Sequence, residues 1–144
     1  MSRVADAALA AVGAPFRLHG RWPETGLDCV GLVAWACGVD APTGDPLRGG
    51  EPGAVAALLD RVMVRAEDER VGDVLLMRTG PGQLHLGVWT HEGLVHADAG
   101  LGRVVVRPGA VEWPVLGRWR VEGSDRPSPC SLRELSLSRE RERV

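Results

Sequence analysis

The chain has 144 residues, a length that suits one domain with a sizeable hydrophobic core. Its 17 basic and 19 acidic side chains give a formal charge of -2, so no strong basic field is present to attract a nucleic-acid backbone. Apolar residues form 44% of the chain. No apolar run approaches the roughly 20 residues that a membrane-spanning helix requires, and we expect no membrane insertion.

The start of the chain does not resemble a secretory signal, because an arginine is soon followed by Asp6 and the Ala-rich stretch is short and weakly apolar. We therefore expect a protein that is cytoplasmic when synthesised. Three cysteines, Cys29, Cys37 and Cys130, are an odd number and unevenly placed, which argues against a disulfide framework. They lack the C-x-x-C spacing of redox and zinc sites, so no metal or cofactor site is predicted.

Two helices are predicted in the first forty residues. Residues 4–12 are Ala-rich and are followed by Gly and Pro, which can stop a helix. Residues 14–27 carry several Pro and Gly residues and indicate a loop that can wrap a site. Asp28 has the position of an N-cap for the run Cys29–Cys37, which is apolar all round. This pattern predicts a central helix, buried on every side and ended by Gly38.

The second half of the chain changes from helical to strand patterns. A third helix is predicted over residues 54–62, with Pro52 near its start. Beyond Gly72 come short β-type runs separated by turn residues. These runs are residues 74–77, 84–90, 94–97, 104–106 and 115–121. Helices followed by strands predict an α+β fold in which the helices pack on a C-terminal antiparallel sheet.

The last part of the chain has a different composition. Residues 124–144 are rich in Ser, Arg, Glu and Pro, and contain few apolar side chains to offset the entropy of ordering them. We therefore predict a folded domain over residues 1–123 and a disordered polar tail over residues 124–144.

Cys29 is the first candidate for chemistry. A cysteine in the first turn of a helix is stabilised as the nucleophilic thiolate by the backbone dipoles, and this position predicts a lowered pKa for Cys29. The alternative is that Cys29 is a small core residue, which is common for cysteines on apolar helices. Cys37 lies well inside the helix and is assigned to the core, and Cys130 is assigned to the tail.

Two histidines flank a predicted hairpin turn. A two-residue loop at His91 and Glu92 pairs Thr90 with Gly93, which places His85 and His96 on one face of neighbouring strands. A three-residue loop would place the two rings on opposite faces. A shared catalytic site therefore requires the two-residue loop, and both rings should then face the start of the Cys29 helix.

With that register, His85 can act as the base that takes the thiol proton of Cys29, while His96 or Asp98 orients its ring. Taken singly, each histidine is more often a surface or structural residue. His91 in the turn and His19 in the first loop are assigned to solvent or to the rim of the cleft.

Three stretches together resemble the NlpC family of papain-like cell-wall endopeptidases. They are Gly26-Leu27-Asp28-Cys29-Val30-Gly31-Leu32-Val33, then Gly72-Asp73-Val74, then His85-Leu86-Gly87-Val88-Trp89 leading to Val95-His96-Ala97. The likeness extends over residues 4–121, and the compact form is similar to versions encoded with phage tails and gene transfer agents.

The resemblance implies a papain-like fold in which Cys29 is the nucleophile, His85 the base and His96 the orienting residue. It also implies hydrolysis of the bond between D-glutamate and a diamino acid in the peptidoglycan stem peptide. Phage-tail-like proteins are then expected partners, and a phage-like particle is the expected route to the cell wall.

The chain departs from the family pattern at two positions. Family members usually carry Ser after the cysteine and a Tyr in the preceding loop, whose hydroxyl helps to hold the oxyanion, whereas here Val30 and Phe16 stand there. A missing oxyanion donor costs on the order of a hundredfold in rate. Arg17 and Arg21 in the same loop are candidates for binding substrate carboxylates, with solvated surface residues as the alternative.

Two other functions therefore stay open. The same Cys and His pair can serve an amidase or acyltransferase, because pocket shape alone can change the acyl group. A non-catalytic module for phage-tail-like assembly is the third hypothesis, and Phe16 favours it.

Overall fold

The structure is a computed structural model that describes residues 2–42 and 45–121. Its elements are α1 (Arg3–Ala10), β1 (Arg21–Trp22), β2 (Gly26–Leu27), α2 (Cys29–Cys37), α3 (Pro52–Asp60), β3 (Val64–Arg65), β4 (Val74–Gly80), β5 (Gln83–Thr90), β6 (Gly93–Asp98), β7 (Arg103–Arg107) and β8 (Val115–Arg120). The larger helices precede the main sheet, and the predicted α+β class is confirmed.

Each helix begins at a residue whose side chain caps it. The hydroxyl of Ser2 accepts a hydrogen bond from the Ala5 amide at 3.1 Å at the start of α1, and Asp28 caps α2. The helix α3 begins two residues earlier than predicted. Glu51 accepts from the Gly53 amide at 3.1 Å, and proline at the first helical position already has the required backbone angle.

Six strands form one antiparallel sheet in the order β3-β8-β4-β5-β6-β7, and β1 and β2 form a separate short hairpin. The sequence predicts the five longer strands of the sheet with boundaries within three residues. It misses β3, which pairs with β8 at the edge, because a strand of two residues shows no alternation to detect.

The two faces of the sheet bury different clusters. All nine residues of α2 are buried, and the helix packs on the face that carries Leu86, Val88 and Val95. The opposite face carries a smaller cluster centred on Leu75, Met77 and Leu94, with Trp89, Val111 and Trp113 packed against it. Met77 lies directly opposite His85, so His85 belongs to this second face.

The motif Gly72-Asp73-Val74 has a structural role at the start of β4. Asp73 is fully buried and accepts hydrogen bonds from Arg118 at 3.1 Å and from Arg120 at 2.8 and 3.0 Å. Its carboxylate also accepts from the Arg70 amide at 2.9 Å. Because two guanidinium groups of β8 surround one carboxylate, this ion-pair cluster fixes β8 beside β4.

The predicted tail, residues 124–144, lies outside the described residues, and so does Cys130. Among the helices that the structure describes, none has the length and apolar character to cross a membrane.

Candidate active site

Asp28 fixes the position of Cys29 at the first turn of α2. One carboxylate oxygen accepts from the Gly31 amide at 2.8 Å and binds the Arg21 guanidinium at 3.0 Å. The other oxygen accepts from the His19 amide at 2.8 Å. The same side chain therefore caps the helix and ties the preceding loop to it. Arg21 is thus engaged by Asp28 and does not stand as a solvated surface residue.

The loop before Cys29 lies in close backbone contact with α2. A Cβ atom at Gly31 would collide with the carbonyl oxygen of Gly20, and one at Gly20 would collide with the carbonyl of Gly26. Only glycine allows this approach. These contacts show why the motif around Cys29 carries glycine at position 31, which sequence analysis did not explain.

The Cys29 thiol is buried, with 9% of the residue exposed. Burial raises the pKa of the Cys29 thiol to about 12, while a hydrogen bond from the Leu86 backbone amide acts in the opposite direction. The sequence-based prediction of a lowered pKa was therefore wrong for the resting protein. The loss of hydration outweighs the favourable position at the helix start, so the resting thiol is protonated at neutral pH.

The Leu86 amide reaches Cys29 because two strands separate at this point. The Trp89 amide donates to Asp73 on the β4 side, so alternation directs the amides of Val88 and Leu86 toward β6. Pairing between β5 and β6 ends at Val88 and Val95. The Leu86 amide is left without a strand partner and serves the thiol instead. The sulfur therefore lies at the opening between β5 and β6, beside the backbone of the residue after His85.

The hairpin has the register that the site requires. Thr90 pairs with Gly93 across a two-residue turn, as predicted. Nε2 of His85 and Nδ1 of His96 lie 3.0 Å apart, and the two rings are nearly perpendicular, at 87°. The structure therefore brings His85 and His96 together on one face, and His96 is the hydrogen-bond partner of His85.

Both imidazoles are neutral at pH 7. Burial, and next the proximity of His96, lower the pKa of His85 from 6.5 to about 4. Burial also lowers the pKa of His96, against the opposing effect of the Asp98 carboxylate and with a smaller contribution from Arg107. Asp98 accepts a hydrogen bond from the Leu101 amide at 2.9 Å. Its negative charge acts electrostatically on His85 and His96 and raises the pKa of both.

The hydrogen-bonding role of each ring nitrogen determines the tautomers of His85 and His96. A base that accepts a proton at Nδ1 of His85 must carry its hydrogen on Nε2 and donate it to Nδ1 of His96. The hydrogen of His96 then lies on its Nε2, a buried atom with no hydrogen-bond partner within the described residues. An unsatisfied buried donor costs about 1–3 kcal/mol.

Among the residues that the structure describes, the thiol of Cys29 makes no hydrogen bond to the ring of His85. The sulfur lies beside the Leu86 backbone, whereas His85 extends from the face of the sheet opposite to α2, so the expectation that both rings face the start of α2 is not met along the paired strands. Proton transfer between the two groups would have to use the opening where β5 and β6 separate. Contacts between catalytic groups are often long in an unliganded site and shorten when substrate binds.

The remaining sequence candidates lie away from this contact. Cys37 is fully buried in the core, as predicted. His91 is exposed in the hairpin turn, with its Nε2 3.9 Å from the Glu92 carboxylate. His19 is exposed and adopts a left-handed backbone with φ of 62°. Phe16 is half-buried and packs against the main core.

An apolar pocket lies along α2, from Val30 to the residues that follow the helix. It has a volume of about 180 Å³ and lies between α2, α3 and β5. Val30, Val33, Val55, Leu59, Met63 and Leu86 contribute to its wall. Val30 follows Cys29 and Leu86 follows His85 in the chain, so the pocket has two sequence neighbours of the site in its wall, although Cys29, His85 and His96 do not line it.

Sequence analysis missed Trp113, whose ring contacts both histidines from the connection between β7 and β8. No pattern in the sequence identifies this residue, because the contact joins positions far apart along the chain.

No protein-family model matches this chain, and no curated protein matches it. Across residues 2–42 and 45–121, no group of three or more His, Cys, Asp or Glu side chains is arranged to hold a metal ion.

Proposed function

We propose that this chain is a papain-like cysteine hydrolase in which Cys29 is the nucleophile, His85 the base and His96 the residue that orients the base. The observation that carries the proposal is the His85–His96 contact of 3.0 Å beside Leu86, whose amide faces the Cys29 sulfur. A nucleophile, a base and an orienting group in that order are the requirement for acyl transfer.

The mechanism begins from a neutral thiol and a neutral imidazole. As the Cys29 sulfur attacks the substrate carbonyl carbon, its proton passes to Nδ1 of His85, and the carbonyl oxygen becomes an oxyanion. The backbone amide of Cys29 at the helix start is a donor for that oxyanion. The imidazolium of His85 keeps its Nε2 hydrogen bonded to His96, which favours the charged form.

Collapse of the tetrahedral intermediate breaks the bond to the leaving amine, and His85 returns the proton to that amine. A thioester on Cys29 remains. A water molecule then attacks the thioester carbon, His85 takes one of its protons, and the thiol leaves with that proton. The products are a carboxylic acid and an amine, and the enzyme returns to its neutral pair.

We propose the peptidoglycan stem peptide as substrate, cleaved at the bond from D-glutamate to the diamino acid. Support comes from the resemblance of the three stretches around Cys29, Asp73 and His85 to the NlpC family, in order and spacing. On the same basis, delivery occurs as part of a phage-like particle.

Mass spectrometry of purified peptidoglycan tests this function. Incubation with the protein should release fragments that end at the cleaved bond, and Cys29→Ala should release none. Cys37→Ala is the matched control, because this second cysteine is fully buried in the core and should leave the product pattern unchanged. If neither the wild type nor the control variant releases fragments, the peptidase function is refuted, and the amidase or acyltransferase and the assembly module are the hypotheses that stand.

A second candidate is an amidase or acyltransferase that acts on an apolar acyl group. The apolar pocket of about 180 Å³ beside Val30 and Leu86 favours it, since a pocket of that size and lining suits an aliphatic chain. A series of p-nitrophenyl esters from acetyl to octanoyl separates the two functions. The second function predicts a preference for longer chains that Ala34→Phe, which fills the pocket, abolishes. Equal rates along the series would exclude it.

A further inference from the structure

Trp113 is the aromatic residue that covers the histidine pair. It lies in the segment between β7 and β8. The centroid of its ring is 5.8 Å from that of His85 and 5.3 Å from that of His96, with interplanar angles of 90° and 88°. Perpendicular contacts at these distances are favourable for aromatic rings. One indole therefore packs against both partners of the hydrogen bond.

The indole is itself held in place on both sides. The guanidinium of Arg107 lies 4.8 Å from the Trp113 ring centroid, and Arg107 also binds the Glu112 carboxylate at 2.8 Å. Immediately after the tryptophan, the Pro114 carbonyl accepts a hydrogen bond from the Arg78 amide of β4 at 3.0 Å. The segment is thus attached to the sheet before and after Trp113.

We infer that Trp113 is a positioning residue of this site, which keeps water away from the His85–His96 hydrogen bond and holds the two rings perpendicular. The ring contacts of Trp113 support this positioning role, and the effect of Trp113 on catalysis rests on the function proposed above. A hydrogen bond between two neutral imidazoles competes poorly with water, so an apolar cover is needed to keep it formed.

The other groups around His85 and His96 show why the exclusion of water depends on the Trp113 indole. His96 is 2% exposed, whereas His85 is half-buried. Asp98 and Arg107 are the charged groups whose fields act on His96, and their effects on its pKa are opposite. Met77 lies across from His85 on β4 and is apolar. Loss of Trp113 would therefore admit water to the His85 side of the contact.

The test is a titration of the imidazole nitrogens by NMR in Trp113→Ala, Trp113→Phe and the wild type. In the wild type, His85 should stay neutral down to about pH 4. In Trp113→Ala we expect the His85 midpoint to rise by roughly one pH unit or more, because burial contributes shifts of this size. Trp113→Phe keeps an aromatic cover and should restore most of the wild-type midpoint.

Trp22→Ala is the matched control, since Trp22 is 37% exposed and packs on Trp35 instead, with centroids 6.1 Å apart. It should leave both histidine midpoints unchanged. Unchanged midpoints in Trp113→Ala would overturn the inference, and so would a shift in Trp22→Ala of the same size. If Trp113→Ala fails to fold, Trp113→Gln takes its place, because a polar side chain of intermediate size also removes the apolar cover, and the same two outcomes decide.

The titration does not depend on activity, so it separates this inference from the proposed function. If the peptidase function fails but the midpoint shifts, Trp113 still covers the pair. If fragments are released but the midpoint does not shift, the hydrolase stands and the role of Trp113 is refuted. If the protein is a peptidase and the midpoint also shifts, the acid limb of kcat/KM should move with the His85 midpoint in each Trp113 variant.

Discussion

Alkylation of Cys29 by iodoacetamide measures how strongly burial suppresses the thiolate. The pKa of the thiol rises from 9.0 to about 12. At neutral pH the thiolate fraction is then about a thousandfold lower than for the reference thiol, because each pH unit is a factor of ten. A more basic thiolate is also more nucleophilic, and this offsets about 15- to 30-fold of the loss in reaction rate. We therefore expect Cys29 to react about 30- to 60-fold more slowly than an unperturbed cysteine.

The assay follows carbamidomethylation of each cysteine by peptide mass mapping from pH 6 to pH 10, with N-acetylcysteine as the reference thiol. The Cys29 rate should still rise at pH 10, and His85→Ala should leave the rate at neutral pH unchanged, because the neutral ring provides no charge to stabilise the thiolate. A plateau below pH 8, lost in His85→Ala, would refute this reasoning. It would show that a thiolate–imidazolium pair exists at rest and that the helix position outweighs burial.

Four further predictions concern the base, its partner, the buried ion-pair cluster and the tail. The acid limb of kcat/KM should lie near pH 4. Because the unfolded state binds more protons between pH 6.5 and 4, His85 should lower the free energy of unfolding by up to about 3.4 kcal/mol as pH drops through that window, which urea unfolding measures. In peptidoglycan digestion, His96→Ala should reduce the rate less than His85→Ala, because His96 orients the base and does not transfer the proton; equal losses would contradict that division. Asp73→Asn should lower the free energy of unfolding by about 3–5 kcal/mol, since it leaves two guanidinium groups without their buried partner. Its control is Asp68→Asn, at a side chain 61% exposed in the same cluster, which should leave the denaturation midpoint nearly unchanged. Deletion of residues 124–144 should leave the melting temperature nearly unchanged in a thermal scan, and a drop of many degrees would place the domain boundary elsewhere.

The sequence was informative where neighbours along the chain decide the structure. The bounds of α2 follow from Asp28 as a cap and Gly38 as a left-handed end, and both are observed. The shared face of His85 and His96 follows from the two-residue turn, because Thr90 pairs with Gly93 and side chains alternate along each strand. Their contact of 3.0 Å lies beyond the last paired residues of the two strands and depends on the tertiary structure. The helix α3 starts two residues before the predicted position, because Glu51 caps it and Pro52 occupies its first turn.

The sequence by itself thus determined the class of fold, the central helix with Cys29 at its start, and the shared face of the two histidines. Only the tertiary structure decided the state of the thiol and the cover over the histidine pair. The pKa of Cys29 depends on how completely the strands around it exclude water, and the Leu86 amide reaches the sulfur only because β5 and β6 separate. Trp113 meets His85 and His96 through the packing of a distant segment on the sheet. Burial and contacts of this kind join positions that no local pattern connects, since they arise when the whole chain folds.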